Sequence, residues 1–205
     1  MTADFGTPLR KRDVDPDPFQ QFDRWFAEAA RSGLRAPEAA ALATASAEGA
    51  PSVRMVLVKQ TGEMGFVFFT NYASRKGLEL AGNPRAALLF HWDTIGRQVR
   101  IEGAVERLSA AESAAYVRSR PRASQLSALA SPQSRSVADR EELERSVAEL
   151  AARHAGAELP VPDFWGGFRL VPDRFEFWQH REDRLHDRLS YTRHNGGWRI
   201  ERLAP

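Results

Sequence analysis

The sequence predicts an α+β domain, an antiparallel sheet or barrel with helices packed outside it. Strand-length apolar runs lie on both sides of a helical middle third, and most of them are joined by short turns. No Gly-x-Gly-x-x-Gly follows a strand and no P-loop occurs, so the signatures of a parallel nucleotide-binding fold are missing.

Residues 1–16 read as a flexible N-terminal lead, polar and Pro-punctuated, with no apolar core of a signal peptide. Residues 17–205 read as a single domain. "DPFQQFDRWFAEAARSGL" predicts its first helix, because Phe19, Phe22, Trp25 and Phe26 recur at helical spacing up to a stop near Gly33. "AALATAS" and "PSVRMVLVK" flank the turn "AEGA" and predict an antiparallel pair. "GFVFFTN" and "RAALLFHW" are two further strands, separated by a short helix in "ASRKGLELAGNP" that Gly-Asn-Pro stops. "RQVRIEGAVERL" alternates as a strand does. "SAAE", residues 109–112, has the spacing of a capping box. "SVADREELERSVAELAARHAG" opens on a similar Ser-x-x-Asp and closes at Gly156, with Leu143, Val147 and Leu150 as its apolar stripe. Four more strands follow, "GFRLV", "RFEFW", "RLSYTR" and "GWRIERL", the last two joined through Asn195-Gly196, a hairpin signal because both positions accept positive φ.

Composition removes several function classes. No cysteine is present, which excludes disulfides, thiolate metal sites and a Cys nucleophile, and fits a cytoplasmic setting. No apolar run is long enough to cross a membrane as a helix. The 29 basic and 27 acidic residues leave a net charge of +2, too balanced for a general nucleic-acid binder. The five histidines are scattered without metal-ligand spacing.

Basic residues nonetheless gather beside hydroxyl and aromatic side chains. In "RMVLVK", Arg54 and Lys59 leave opposite faces of a strand, either as solvated ends or to reach two different ligand groups. In "TNYASRKG", Ser74, Arg75 and Lys76 sit at a helix start, which makes either an exposed basic turn or a phosphate cradle. In "YVRSRPRASQ", Pro121 suits a first helical position, so that Tyr116, Arg120 and Ser124 either converge on one phosphate or decorate a helix break. In "EFWQHREDRLHDR", Arg184, His186 and Arg188 alternate and would share one face of a strand, in a structural or a functional role. Two anion sites and an aromatic-lined cleft, without a nucleophile triad or acid–base pair, suggest that a cofactor supplies the chemistry.

These stretches, with "NPRAALLFHW", "RQVRIEGAVERL" and "FWGGFRL", resemble in order and spacing the pyridoxine/pyridoxamine 5'-phosphate oxidases from about Asp17 to Pro205. The resemblance implies an FMN-binding split β-barrel with surrounding helices, a homodimer with FMN at the subunit interface. FMN would be held by Arg54, Met55, Val56, Leu57, Val58 and Lys59, by Phe69 and Thr70, by Arg75 and Lys76, by Gln98, Gln133 and Ser134, and by Trp178 and Arg188. The substrate phosphate would fall to Lys59, Tyr116, Arg120 and Ser124, with Arg184 and His186 over the pyridine ring as the catalytic pair. The implied reaction oxidises pyridoxine or pyridoxamine 5'-phosphate to pyridoxal 5'-phosphate, with O2 as acceptor and H2O2 as product. Phe69 stands where Tyr is more usual. The alternatives are another split-barrel flavin oxidase, of the phenazine-pathway type, and a non-catalytic flavin-binding module.

Overall fold

A computed structural model describes residues 7–205. Eight antiparallel strands run in the order β3-β2-β1-β4-β5-β6-β7-β8, and β3 pairs again with β6, which closes the first six into a barrel. The strands are β1 (Ala39–Ala45), β2 (Pro51–Gln60), β3 (Phe66–Asn71), β4 (Arg85–Trp92), β5 (Arg97–Arg107), β6 (Trp165–Gln179), β7 (Asp187–His194) and β8 (Gly197–Arg202). Five helices surround them: α1 (Pro18–Arg31), α2 (Arg75–Gly82), α3 (Ala110–Ser119), α4 (Arg122–Ala130) and α5 (Arg140–Arg153). The split-barrel expectation holds. Among the described residues no helix is long and apolar enough to cross a membrane.

Local chemistry explains where the elements begin and end. Asp17 caps α1 by accepting from the Phe19 N–H at 2.9 Å, and Pro18 takes the first turn, where no N–H is needed. Phe19, Phe22 and Trp25 are buried on its inner face, with the Phe22 ring 4.9 Å from Phe66 and 5.0 Å from Phe90. Burying each such ring contributes about 2–3 kcal/mol, so this face, more than helix propensity, fixes α1 on the barrel. The capping box of α3 forms as predicted, with Ser109 and Glu112 each satisfying the other's backbone N–H. Asn195 and Gly196 adopt φ of +48° and +79° in the β7–β8 turn, as the hairpin signal requires.

Four expectations change. "GFRLV" and "RFEFW" are one continuous strand, β6, because the Pro172 position is accommodated by a register shift: Gly103 pairs with Pro172 and Glu102 with Arg174, which leaves Asp173 unpaired. Gly103 permits this, since a Cβ there would stand 2.0 Å from the Val171 carbonyl oxygen. Asp139, rather than Ser136, caps α5, accepting from Glu142 N at 2.7 Å. Pro121 is the residue before α4 rather than its first member. Residues 1–6 of the expected flexible lead lie outside the described residues. From Thr7 on, the lead is tied to the β6–β8 face: the Leu9 N–H donates to Asp187 at 3.1 Å, Gln179 donates to the Thr7 carbonyl at 3.0 Å, and the Tyr191 hydroxyl donates to the Asp15 carbonyl at 2.7 Å.

Candidate active site

The first group of predicted residues gathers where β1, β2 and β3 meet the start of α2. Ser74 caps α2, which turns Arg75 and Lys76 into its first turn. The Arg54 guanidinium donates to Thr44 Oγ1 at 2.5 Å, to the Leu42 carbonyl at 3.2 Å, to Ser52 Oγ, and to Glu79 Oε2 at 3.2 Å. Glu79, buried on α2, also accepts from Thr44 at 2.5 Å, from Ser52 at 2.6 Å and from Arg75 Nε at 2.9 Å. Burial alone would raise the Glu79 carboxyl, but the bonds from Ser52, Thr44, Arg75 and Arg54 outweigh it and hold it down to about 2. The buried Lys76 donates to Gln133 at 2.9 Å and to Thr70 at 3.1 Å, and Thr70 donates to Gln133 at 2.9 Å. Burial lowers the Lys76 pKa, the Arg54 charge lowers it further, and Glu79 opposes both. An open pocket of ≈ 570 Å³ adjoins this group, lined in part by Arg75, Glu79 and Ser134, with Ser134 at φ +72°. Three cations at a capped helix start, only partly neutralised by one carboxylate, fit a phosphate.

A second group lies on β5, β6 and β7. The pairing register sets Gln98 beside Trp178 and Trp178 beside Arg188. With His186, Arg100, Glu176, Leu89 and Pro205 they line a pocket of ≈ 280 Å³. The His186 ring stands 4.6 Å from the Trp178 ring, and its Nδ1 accepts from the Arg181 N–H at 3.0 Å. That bond leaves Nε2 as the nitrogen free for other chemistry. Buried Glu176 accepts from Arg188 Nε at 2.7 Å and from Arg100 at 2.5 Å, which fixes both guanidiniums. An aromatic wall with fixed donors suits a flat heteroaromatic ring.

A third group joins α3 and α4 to β3 and β6. Tyr116 stacks on Phe69 with ring centroids 3.6 Å apart, and the Arg120 guanidinium lies 4.7 Å from the Trp165 ring. Nη1 of Arg120 is buried and has no hydrogen-bond partner among the described residues. Burial pushes the Tyr116 phenol up, against the opposing Arg120 charge, so it remains a hydroxyl donor at neutral pH. Ser124 is half-buried in the first turn of α4. Arg122 is engaged elsewhere, donating to the carbonyls of His154 at 2.6 Å and Ala157 at 2.9 Å.

Strand β2 runs past the first group in two rows. Arg54, Val56 and Val58 face inward, with Val58 buried; Val53, Met55 and Leu57 lie on the other face and are 68%, 64% and 45% exposed. Lys59 belongs to that outer row, opposite to Arg54 as its spacing predicts, and lies 3.8 Å from Glu38. One expectation fails here. Arg184, His186 and Arg188 do not alternate along one strand, because β7 begins at Asp187 and Arg184 sits in the preceding turn at φ +63°. Arg184 is exposed and is not among the residues lining the His186 pocket. Sequence reading missed Glu79, Glu176 and Trp165. Glu79 had a signal, its i+4 spacing from Arg75; Glu176 had another, as an acid set between aromatic residues in "FEFW".

Known proteins agree with this architecture. Residues 26–154 match the family model described as pyridoxamine 5'-phosphate oxidase. Residues 165–205 match the pyridoxine 5'-phosphate oxidase C-terminal dimerisation region. The pyridoxine/pyridoxamine 5'-phosphate oxidase of Rubrobacter xylanophilus is 56% identical over 197 residues, which cover 96% of this chain and 91% of the relative. A relative of the same name from Ralstonia nicotianae is 56% identical over 94% of this chain and 91% of its own length. Among solved structures, PhzG from Burkholderia lata, in complex with tetrahydrophenazine-1-carboxylic acid, superposes with a TM-score of 0.90 at 36% identity, covering 96% of this chain and 98% of that one. On these matches, which span the barrel, the helical middle and the C-terminal strands, the chain is an enzyme belonging to the pyridoxine/pyridoxamine 5'-phosphate oxidase family.

Proposed function

We propose that the chain is an FMN-dependent oxidase that converts pyridoxine 5'-phosphate or pyridoxamine 5'-phosphate to pyridoxal 5'-phosphate. With the alcohol, one O2 yields one H2O2; with the amine, one water is also consumed and ammonia leaves. The observation that carries this reading is the presence of two separate cationic groups of different build. Arg54, Arg75 and Lys76 surround a helix start, and Arg120 stands beside Tyr116 with a buried, unpartnered Nη1. The first suits the phosphate of FMN and the second the phosphate of the substrate.

FMN, when bound, would supply the redox chemistry of a hydride equivalent taken from the substrate and delivered to O2. The protein's own residues bind and orient. Arg54, Arg75 and Lys76 hold the cofactor phosphate with Thr70, Gln133 and Ser134, while the β2 backbone from Met55 to Val58 and Phe69 border the same guest. Gln98, Trp178 and Arg188 flank its ring. Arg120, Tyr116 and Ser124 anchor the substrate phosphate and His186 sets the pyridine ring; Lys59, on the outer row of β2, and Arg184, in the exposed turn before β7, are assigned to the phosphate and the ring by the family resemblance alone. Anchoring a remote phosphate lowers the barrier by fixing the reacting carbon, and His186 and Arg184 serve here as orienting and electrostatic groups.

The exposed Val53–Met55–Leu57 row, next to Arg54, is an apolar surface of the kind that a partner subunit covers. With the match to a dimerisation region it supports a homodimer in which both chains border each FMN. A phenazine-pathway type of oxidase is the competing reading, raised by the likeness to PhzG. The Tyr116–Arg120 group favours the phosphorylated vitamin, since a substrate without a phosphate has no need of it. The purified protein is expected to be yellow with bound FMN and to release H2O2 on addition of pyridoxine 5'-phosphate. A protein that takes up FMN but leaves both phosphorylated substrates unchanged would overturn the proposal.

A further inference from the structure

Trp165 opens β6, is buried, and belongs to no role assigned above. Two rings lie nearly parallel to it. Its plane is within 2° of Tyr116 at 6.0 Å and within 13° of Phe69 at 5.9 Å, and Phe69 in turn stacks on Tyr116 at 3.6 Å. The backbone is shaped for this assembly. A Cβ on Gly167 would stand 2.9 Å from Phe69 Cε1, and one on Gly166 would stand 2.8 Å from Ser113 Oγ. Ser113 accepts from the Gly167 N–H at 3.2 Å and so ties α3, the helix that bears Tyr116, to β6.

The Arg120 guanidinium lies over the Trp165 ring at 4.7 Å. A cation attracted to an aromatic face is held flat while its N–H bonds point outward along its own edge, where they can grip an anion. The buried Nη1 of Arg120, without an acceptor among the described residues, is such an edge. An arginine left loose would lose side-chain freedom on binding, a cost that pre-ordering removes.

We propose that Trp165 is the positioning residue of the substrate-phosphate site, its ring holding Arg120 and its stack with Phe69 holding Tyr116 so that both point at one phosphate. This inference rests on the reading that Arg120 takes the substrate phosphate. Trp165 acts through Arg120 and Tyr116 and does not touch the reacting carbon.

The test uses the full-length, FMN-loaded protein with Trp165→Leu, Trp165→Phe and Arg120→Ala. Five quantities are read: the equilibrium Kd for pyridoxal 5'-phosphate and for pyridoxal by absorbance titration, KM and kcat for pyridoxine 5'-phosphate, and the FMN Kd of the apoprotein by flavin fluorescence. Trp165→Leu should weaken pyridoxal 5'-phosphate binding and raise KM by about five- to tenfold, with pyridoxal affinity, kcat and FMN affinity within about twofold. Trp165→Phe, which keeps a weaker π face, should recover most of the loss. Unchanged pyridoxal 5'-phosphate affinity, or an equal loss for pyridoxal and FMN, overturns the proposal. If Trp165→Leu does not fold, Trp165→Phe decides, with about a two- to threefold rise in Kd expected and no rise contradicting it. Should Arg120→Ala leave pyridoxal 5'-phosphate binding intact, the phosphate assignment itself fails; should only the Trp165 variants be silent, this inference alone fails.

Discussion

Replacing Glu79 with Gln changes one atom of the first cationic group and removes the carboxylate that Arg54 and Arg75 share. Glu79 Oε2 accepts from Thr44, Ser52 and Arg54, and Oε1 from Arg75. An amide in its place must aim an N–H at one of these donors whichever way it is turned, and it leaves Arg54 without a counter-charge. A carboxyl held at about 2 against its ordinary 4.5 carries about 3 kcal/mol of folding free energy at neutral pH. The Arg75 side chain is 62% exposed, so its ion pair contributes about 1 kcal/mol at most; the buried Arg54, Thr44 and Ser52 bonds dominate. For a chain of this size about 3 kcal/mol corresponds to a fall of about 6–12 °C in Tm. Because the folded-state pKa is depressed, this stabilisation is complete above the ordinary carboxylate pKa and fades as pH falls from there toward about 2. Thermal melts of FMN-free wild type and Glu79→Gln should therefore differ by a constant gap from neutral pH down to about pH 5, and the gap should close below it. Saturating FMN should narrow the neutral gap, since its phosphate replaces the missing negative charge beside Arg54 and Lys76. A Tm within about 2 °C of wild type at neutral pH would refute the reasoning, as would a gap that persists unchanged into acid.

Three other outcomes follow from the same geometry. Arg120→Ala should raise KM for pyridoxine 5'-phosphate by about ten- to a hundredfold in steady-state assays, the worth of a charged hydrogen-bond donor, while FMN affinity stays within about twofold; equal losses would mean that Arg120 serves the cofactor. His186→Ala should lower kcat by about tenfold or more with flavin retained, as read from absorbance and turnover, and an unchanged rate would reduce His186 to packing against Trp178. Lys76 has a lowered pKa in the free protein, chiefly from burial, and a bound phosphate favours its charged form; FMN affinity should hold near neutral pH and fall as pH rises through the lowered range, beneath the ordinary 10.5. Fluorescence titrations of FMN against pH should show that fall, absent for riboflavin and flattened in Lys76→Met; a slope that survives in Lys76→Met contradicts the assignment.

Much of this architecture is written in local chemistry. The α1 stripe, the Ser109–Glu112 box, the Gly-Asn-Pro stop of α2 and the Asn195-Gly196 turn each act within a few residues, and each appears where the sequence places it. Pro172 misled because a proline suggests a break, whereas the register shift opposite Gly103 is a property of two paired strands and not of either alone. Arg184 misled for a similar reason: alternation implies a strand only where a strand exists, and β7 starts three residues later. The basic residues of the site were legible because arginines clustered beside hydroxyls are uncommon in a near-neutral chain. Their supports were not. Glu79 meets Arg54 across 25 residues, Glu176 meets Arg100 across 76, and Trp165 reaches Arg120 and Tyr116 only once β6 and α3 are docked. Such contacts belong to tertiary packing, which the order of residues does not display.

A structure of the protein with FMN and pyridoxal 5'-phosphate bound together tests the central claim most directly. Two phosphates should appear, one within hydrogen-bonding distance of Arg54, Arg75 and Lys76, the other gripped by Arg120 and Tyr116 with its ring beside that of the flavin. Both phosphates on one cationic group, or Arg120 turned into solvent with the substrate in place, would contradict the account.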